Sequence, residues 1–125
     1  MKETIRTDAA PPAVGPYSQG IRSNGFIFTS GQLPATPTGE LVTDDIAAAA
    51  RRSLENVKAV LEAGGATMED VVKVTIYLTD MADFAAVNEV YKTFFPAPEP
   101  ARSCIAVAAL PLGVAVEIEA VASKR

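Results

Sequence analysis

The fold is decided by the last quarter of the chain, PARSCIAVAALPLGVAVEIEAVA, from Pro100 to Ala122. Its centre, Leu110-Pro111-Leu112-Gly113, fits a type I turn, because Pro is favoured at the second position and Gly at the fourth. The flanking segments are rich in Val and Ile, and two such segments around a turn predict a β-hairpin. With this turn, Arg102 and Glu117 point to the same face of the sheet, about 13 Å apart by strand rise, a gap that two long side chains and a small molecule would fill.

Each of these two charges also has an ordinary structural interpretation. Glu117 alternates with Val116 and Ile118 and shares a face with Glu119, which is typical of a solvated carboxylate on a half-exposed strand. Arg102 begins a strand, where a surface charge is common. The residues alone therefore leave both a binding site and a solvated surface open.

The rest of the chain predicts the element order β-β-α-β-α-β-β. Asn24-Gly25 predicts a type I′ hairpin turn, and Asp44 or Asp45 caps a helix that Gly64-Gly65 end. Asp80 caps the second helix. The predicted segments are strands at 17–22 and 26–30, a loop at 32–43, a helix to 63, a strand at 71–79, a helix at about 81–95, and the final hairpin.

Composition predicts one domain spanning residues 1–125, and the element order predicts an α+β fold in which two helices can cover only one face of the sheet. The 125 residues are 49% hydrophobic, enough for one core but too few for two ordinary domains. The uncovered sheet face, rich in Ala and Val, predicts burial against another copy of the chain. No apolar run is long enough for a membrane span and the charged start is unlike a signal peptide, so the expected location is the cytoplasm.

Charge and metal-ligand content exclude several function classes. One cysteine and no histidine exclude an intramolecular disulfide and remove the usual zinc ligands, so a metal would need carboxylates alone. The net charge of −4 disfavours a nucleic acid as the main partner, because proteins that bind nucleic acid usually carry a basic face.

Several motifs together resemble the RidA (YjgF) family of imine deaminases. They are P-A-R-S-C-I, L-P-L-G and V-E-I-E in the last quarter, G-P-Y-S-Q-G from Gly15, T-S-G-Q-L-P from Thr29, and R-R-S-L-E-N-V-K-A-V-L-E-A-G-G from Arg51. The resemblance spans nearly the whole chain. It implies a chorismate-mutase-like fold with a mixed sheet, and a homotrimer with active sites in the clefts between subunits.

The chemistry implied by the resemblance is hydrolysis of 2-imino acids, such as 2-iminopropanoate and 2-iminobutanoate, to 2-keto acids and ammonia, without metal or cofactor. Arg102 matches the family's arginine, whose planar guanidinium takes a carboxylate through two parallel hydrogen bonds. Glu117 matches the family's glutamate, which would activate water and pass protons to the departing nitrogen.

Other site residues follow from the resemblance alone. Tyr17 would close the cleft, Ser30 would hydrogen-bond substrate or water, Gly31 and Cys104 would act through backbone groups, and Asn88 matches an asparagine near the site. Each also has an ordinary interpretation, such as a half-buried tyrosine or a strand-end serine. Cys104 is disfavoured as a nucleophile, because no histidine exists to activate it.

Two other functions remain as alternatives. The family has also been described as endoribonucleases and translation inhibitors. The acidic net charge, the absence of histidine and the small number of aromatic residues argue against both activities. A non-catalytic regulator that binds small carboxylates would need Arg102 but not Glu117. Within the enzyme class, a related enamine such as 3-aminoacrylate is an open alternative substrate.

Overall fold

The structure is a computed structural model that describes residues 1–124. Six strands and two α-helices follow in the order β1 (Glu3–Ile5), β2 (Gly20–Ser23), β3 (Phe26–Thr29), α1 (Ile46–Ala63), β4 (Val71–Leu78), α2 (Phe84–Tyr91), β5 (Ala101–Ala106) and β6 (Val116–Ser123). Short 3₁₀ turns cover Met68–Asp70, Met81–Asp83 and Pro111–Gly113. The predicted element order is confirmed, with β1 as an additional strand at the front.

All strands form one sheet in the order β1-β2-β3-β6-β4-β5. Within the described residues β4 and β5 pair in parallel and the other neighbours are antiparallel, so the sheet is mixed as predicted. Asn24 (φ 52°) and Gly25 (φ 79°) adopt the positive angles of the predicted hairpin turn.

The predicted hairpin between β5 and β6 is wrong. β5 pairs with β4, and β6 pairs with the other edge of β4, so β4 lies between the two segments. The β4–α2–β5 unit is a crossover through a helix, and such a connection brings its two strands together in parallel. The turn also differs from type I, because Leu112 has a φ of 58°, which is the sign that a type II turn requires at its third position.

The sheet register also overturns the prediction that Arg102 and Glu117 share a face. Arg102 lies opposite Val74 on β4, whereas Glu117 lies opposite Tyr77. Positions three apart on a strand point to opposite faces. The side chains of Arg102 and Glu117 therefore emerge on opposite faces of the sheet.

Helix α1 begins and ends where its sequence predicts. The Asp45 carboxylate accepts a hydrogen bond from the Ala48 N–H at 2.7 Å, which caps the first turn. The apolar side of α1 packs on the sheet, and its fully buried residues include Leu54, Val57 and Leu61. Helix α2 is shorter than predicted, because Asp80 caps a 3₁₀ turn before it and the Thr93 hydroxyl donates to the Val90 carbonyl after it.

Two strand predictions need small corrections. Tyr17 precedes β2, because its N–H bonds the Gly15 carbonyl in a turn and regular pairing starts at Gly20. In β4, a bulge between Val71 and Lys73 leaves Val72 45% exposed and buries Val71 in its place.

Both helices pack on the same face of the sheet. The opposite face, here called the helix-free face, presents partly exposed apolar side chains from β3 and β5, among them Phe26 (41% exposed), Phe28 (45%) and Ile105 (46%). Burial of this face against another copy of the chain stays a prediction. Among residues 1–124, no helix is both long and apolar enough to cross a membrane.

Candidate active site

Glu117 extends from β6 onto the helix-free face and packs against Gly31. A Cβ atom built on Gly31 would overlap the Glu117 carboxylate and lie 2.7 Å from its Cδ atom, so any side chain here would displace the carboxylate. Backbone hydrogen bonds in both directions between Gln32 and Ile118, at 2.8 and 3.2 Å, hold the two segments together. Glycine at position 31 therefore leaves the room that the half-buried Glu117 carboxylate occupies.

The environment of Glu117 favours its protonated form. Burial raises the pKa of the Glu117 carboxyl, and the nearby Glu119 carboxylate raises it further. Burial raises the pKa of the Tyr77 hydroxyl, and the nearby Glu119 and Glu117 carboxylates raise it further. A raised pKa makes the carboxylate a stronger base, which suits a group that takes up and returns a proton.

Ser30 and Tyr17 lie on the segments that flank Gly31. The Ser30 hydroxyl donates to the Ser18 carbonyl at 2.5 Å, so its oxygen lone pairs remain as acceptors. Tyr17 is 52% exposed and, with Gly31, lines a cavity of about 310 Å³. The structure thus brings Tyr17, Ser30, Gly31 and Glu117 into one region, here called the glutamate half-site.

Arg102 lies on the helix side of the edge strand β5 and is held by α2. Its Nη1 donates to the Asn88 Oδ1 at 2.6 Å. Its guanidinium carbon lies 4.8 Å from the ring centre of Tyr91 and 5.3 Å from that of Phe84, within the range of cation–π attraction. These contacts fix the plane of the guanidinium.

Cys104 follows two residues later on the same face of β5 as Arg102 and is half-buried. Burial raises the pKa of its thiol, an effect that the Arg102 charge partly opposes. The thiol is therefore the dominant form, in agreement with the sequence-based view that Cys104 is not a nucleophile. Arg102, Asn88 and Cys104 form a second region, here called the arginine half-site.

The predicted site residues thus form two half-sites on opposite faces of the sheet. Sequence reasoning missed Phe84 and Tyr91 as the supports of Arg102, although both stand with Asn88 at helical spacing on α2. It also missed the fully buried Asn56, because nothing in the sequence distinguishes a buried asparagine from one on a helix surface. In the part of the chain that the structure describes, no three or more His, Cys, Asp or Glu side chains come close enough to hold a metal ion.

Comparisons with known proteins agree over the full length of the chain. The family model described as Endoribonuclease L-PSP matches residues 7–124. The 2-iminobutanoate/2-iminopropanoate deaminase of Escherichia coli is 52% identical over 129 residues, and that of Salmonella typhimurium 49% over 128 residues, each alignment covering 100% of both chains. The structure of E. coli TdcF with bound serine matches with a TM-score of 0.94 at 48% identity, covering 98% of this chain and 99% of TdcF.

These matches settle the family and the type of fold. The structure of the E. coli YjgF gene product also superposes, with a TM-score of 0.92 at 49% identity, covering 98% of this chain and 99% of that one. Identity near one half over whole chains, with the same mixed sheet and two helices, confirms the family that the motifs predicted. The chain belongs to the RidA (YjgF) family.

Proposed function

We propose that this protein hydrolyses 2-imino acids to 2-keto acids and ammonia, in sites that neighbouring copies of the chain build together. The observation that carries the proposal is Glu117, a half-buried carboxylate with a raised pKa on Gly31, in a chain about half identical to proteins named as such deaminases. An imine carbon is already reactive toward water, so a positioned carboxylate could suffice for the hydrolysis.

The two half-sites cannot serve one substrate within a single chain, because the sheet separates them. Arg102 lies on the exposed edge strand, and Glu117 lies on the helix-free face, where exposed Phe28 and Ile105 offer apolar surface for a neighbour. If the arginine half-site of one copy meets the glutamate half-site of the next, the contact joins two different surfaces. Heterologous contacts form a ring when the rotation between copies closes, and the family resemblance implies a closed ring of three.

Arg102 would hold the substrate carboxylate. A guanidinium presents two parallel N–H groups to a carboxylate, and lysine cannot reproduce this fork. Asn88 occupies one Nη1–H, while Phe84 and Tyr91 restrain the plane. Substrate therefore meets a guanidinium whose orientation is already set, which reduces the entropy lost on binding.

Glu117 would carry the proton transfers. As a carboxylate it takes a proton from water, whose oxygen attacks the imine carbon and leaves nitrogen and hydroxyl on the same carbon. The carboxyl returns that proton to the nitrogen, which leaves an amino group and a hydroxyl on the carbon. Glu117 then takes the hydroxyl proton and delivers it to the amino nitrogen as the C–N bond breaks, so ammonia leaves and the hydroxyl oxygen becomes the keto oxygen. General acid–base catalysis of this kind contributes about 10²- to 10⁴-fold. Ser30 would accept a hydrogen bond from the water, and Tyr17 would cover the cleft.

Two features weigh against the ribonuclease activity named in the family description. The chain carries a net charge of −4 and contains no histidine, whereas ribonucleases need cationic surface for phosphates and a group that titrates near neutrality. The half-buried Glu117 is also more than a passive carboxylate-binding regulator would need.

We place the enzyme in the cytoplasm, where pyridoxal-phosphate enzymes release unstable enamines and imines.

A trapping assay tests the proposal. Threonine dehydratase generates 2-iminobutanoate in place, semicarbazide competes for the imine, and the adduct is followed by absorbance. The protein is expected to lower adduct formation in proportion to its concentration while ammonia and 2-ketobutyrate accumulate faster. Unchanged adduct formation with both threonine and serine dehydratases would exclude the deaminase function.

A further inference from the structure

A cavity opens beside the glutamate half-site. Its volume is about 310 Å³, roughly ten times the ~30 Å³ that a water molecule occupies in the liquid. Gly31 and Tyr17 belong to its lining, and the Glu117 carboxylate packs on Gly31. The cavity therefore shares Gly31 and Tyr17 with the glutamate half-site.

The lining of this cavity is suited to an apolar group. Among the described residues no Asp, Glu, Lys or Arg lines it, and most of its wall is aliphatic. The aliphatic and proline positions include Pro12, Val14, Leu33, Ala35, Pro37 and Leu112. A carboxylate or an ammonium group would lose its hydration here without gaining a charged partner, whereas an alkyl chain loses nothing.

One wall of the cavity is fixed from inside the protein. The amide of the fully buried Asn56 donates to the carbonyl of Leu33 at 3.1 Å and to that of Ala35 at 2.8 Å. Arg52 in turn donates to the Asn56 Oδ1 at 2.7 Å. Helix α1 thus holds the loop that carries Leu33, so this wall exists before any ligand binds.

The rim of the cavity contains an unusual residue. Leu112 has a φ of 58°, which is uncommon for a residue other than glycine, and its side chain is 74% exposed. The positive φ serves the turn before β6, but the exposed leucine side chain makes no contribution to the buried core. Such strain more often accompanies a functional contact.

We propose that this cavity receives the aliphatic side chain of the 2-imino acid, and that Leu33 sets the side-chain length that is accepted. The inference rests on the proposed function, because it names the substrate class of that same site. The protein then prefers imines with branched or longer alkyl side chains, such as 2-imino-4-methylpentanoate, over 2-iminopropanoate.

The test compares two imines on the assembled protein. An L-amino acid oxidase generates one imine from leucine and the other from alanine, and semicarbazide trapping gives kcat/KM for each. Leu33→Trp narrows the cavity and is expected to lower the leucine-to-alanine ratio of kcat/KM at least about tenfold, the low end for a pocket that loses room for methylenes. Leu33→Ala widens the cavity and is expected to raise the same leucine-to-alanine ratio of kcat/KM.

Leu41→Trp is the matched control, because Leu41 lies on the same loop but not in the cavity lining, and it is expected to keep the wild-type ratio. Thr38→Phe narrows the cavity at an exposed position. It is the second narrowing variant, used in place of Leu33→Trp if that substitution lowers the melting temperature. A wild-type ratio in folded Leu33→Trp and Thr38→Phe overturns the inference but leaves the deaminase function standing. If the wild-type protein hydrolyses neither imine, the proposed function itself fails.

Discussion

The two half-sites differ in how the fold supports them. The glutamate half-site is half-buried and built on backbone, since Glu117 rests on Gly31 and the Gln32–Ile118 hydrogen bonds clamp the segments together. The arginine half-site stands on an edge strand and is held by side chains of α2, through Asn88 and two aromatic rings. One region perturbs a carboxyl pKa and the other orients a cation, which suits the first to turnover and the second to binding.

The largest effect is expected from Glu117→Gln. The amide keeps the size of the carboxylate but cannot exchange protons, so kcat for imine hydrolysis should fall about 10²- to 10⁴-fold. Binding of 2-ketobutyrate, measured by calorimetry, should change little. Glu119→Gln, two residues along the same strand, is the control and should keep most of the activity near neutral pH. Loss of activity in Glu119→Gln alone would mean that the wrong carboxylate has been assigned.

Arg102→Lys should weaken ligand binding, whereas Glu117→Gln should slow turnover. Lysine keeps the charge but loses the two parallel N–H groups, so the Kd for 2-ketobutyrate should rise at least about tenfold while the fold is kept. Arg51→Lys, on the exposed side of α1, is the matched control and should bind as the wild type does. Wild-type affinity in Arg102→Lys would remove the arginine half-site from the binding step.

A smaller effect should appear in the pH profile. The base must be ionised, so kcat/KM should fall as the pH drops through the pKa of Glu117. Since burial and Glu119 raise that pKa, the acidic limb should lie above about 4.3, the ordinary value for glutamate. Glu119→Gln removes one of the two causes and should shift the limb to lower pH. A shift to higher pH would contradict the electrostatic account.

The parts of the fold that depend on local pattern were predicted correctly. The periodicity of α1, its Asp45 cap and the Asn24-Gly25 turn are set by neighbours in sequence. The face on which Arg102 points was predicted wrongly. It depends on pairing between β5 and β4, a contact across the α2 crossover that alternation within either segment does not encode.

The division of the site follows from that same long-range pairing. In a hairpin, Arg102 and Glu117 would share a face and suggest a site within one chain. With β4 between them they do not, which is why we propose that neighbouring copies of the chain build the site together. Supports such as Asn56 and Tyr91 were missed for a related reason, because burial of a polar or aromatic side chain is decided by tertiary packing.

The most direct test of the composite site is complementation between two inactive variants. Arg102→Ala and Glu117→Gln are co-expressed with different tags, and oligomers containing both are isolated by successive affinity steps and sized by light scattering. In any mixed ring of three, one contact joins an intact glutamate half-site to an intact arginine half-site, so about a third of wild-type activity should return. Mixed rings no more active than the two parent variants would show that Arg102 and Glu117 do not act across the subunit boundary.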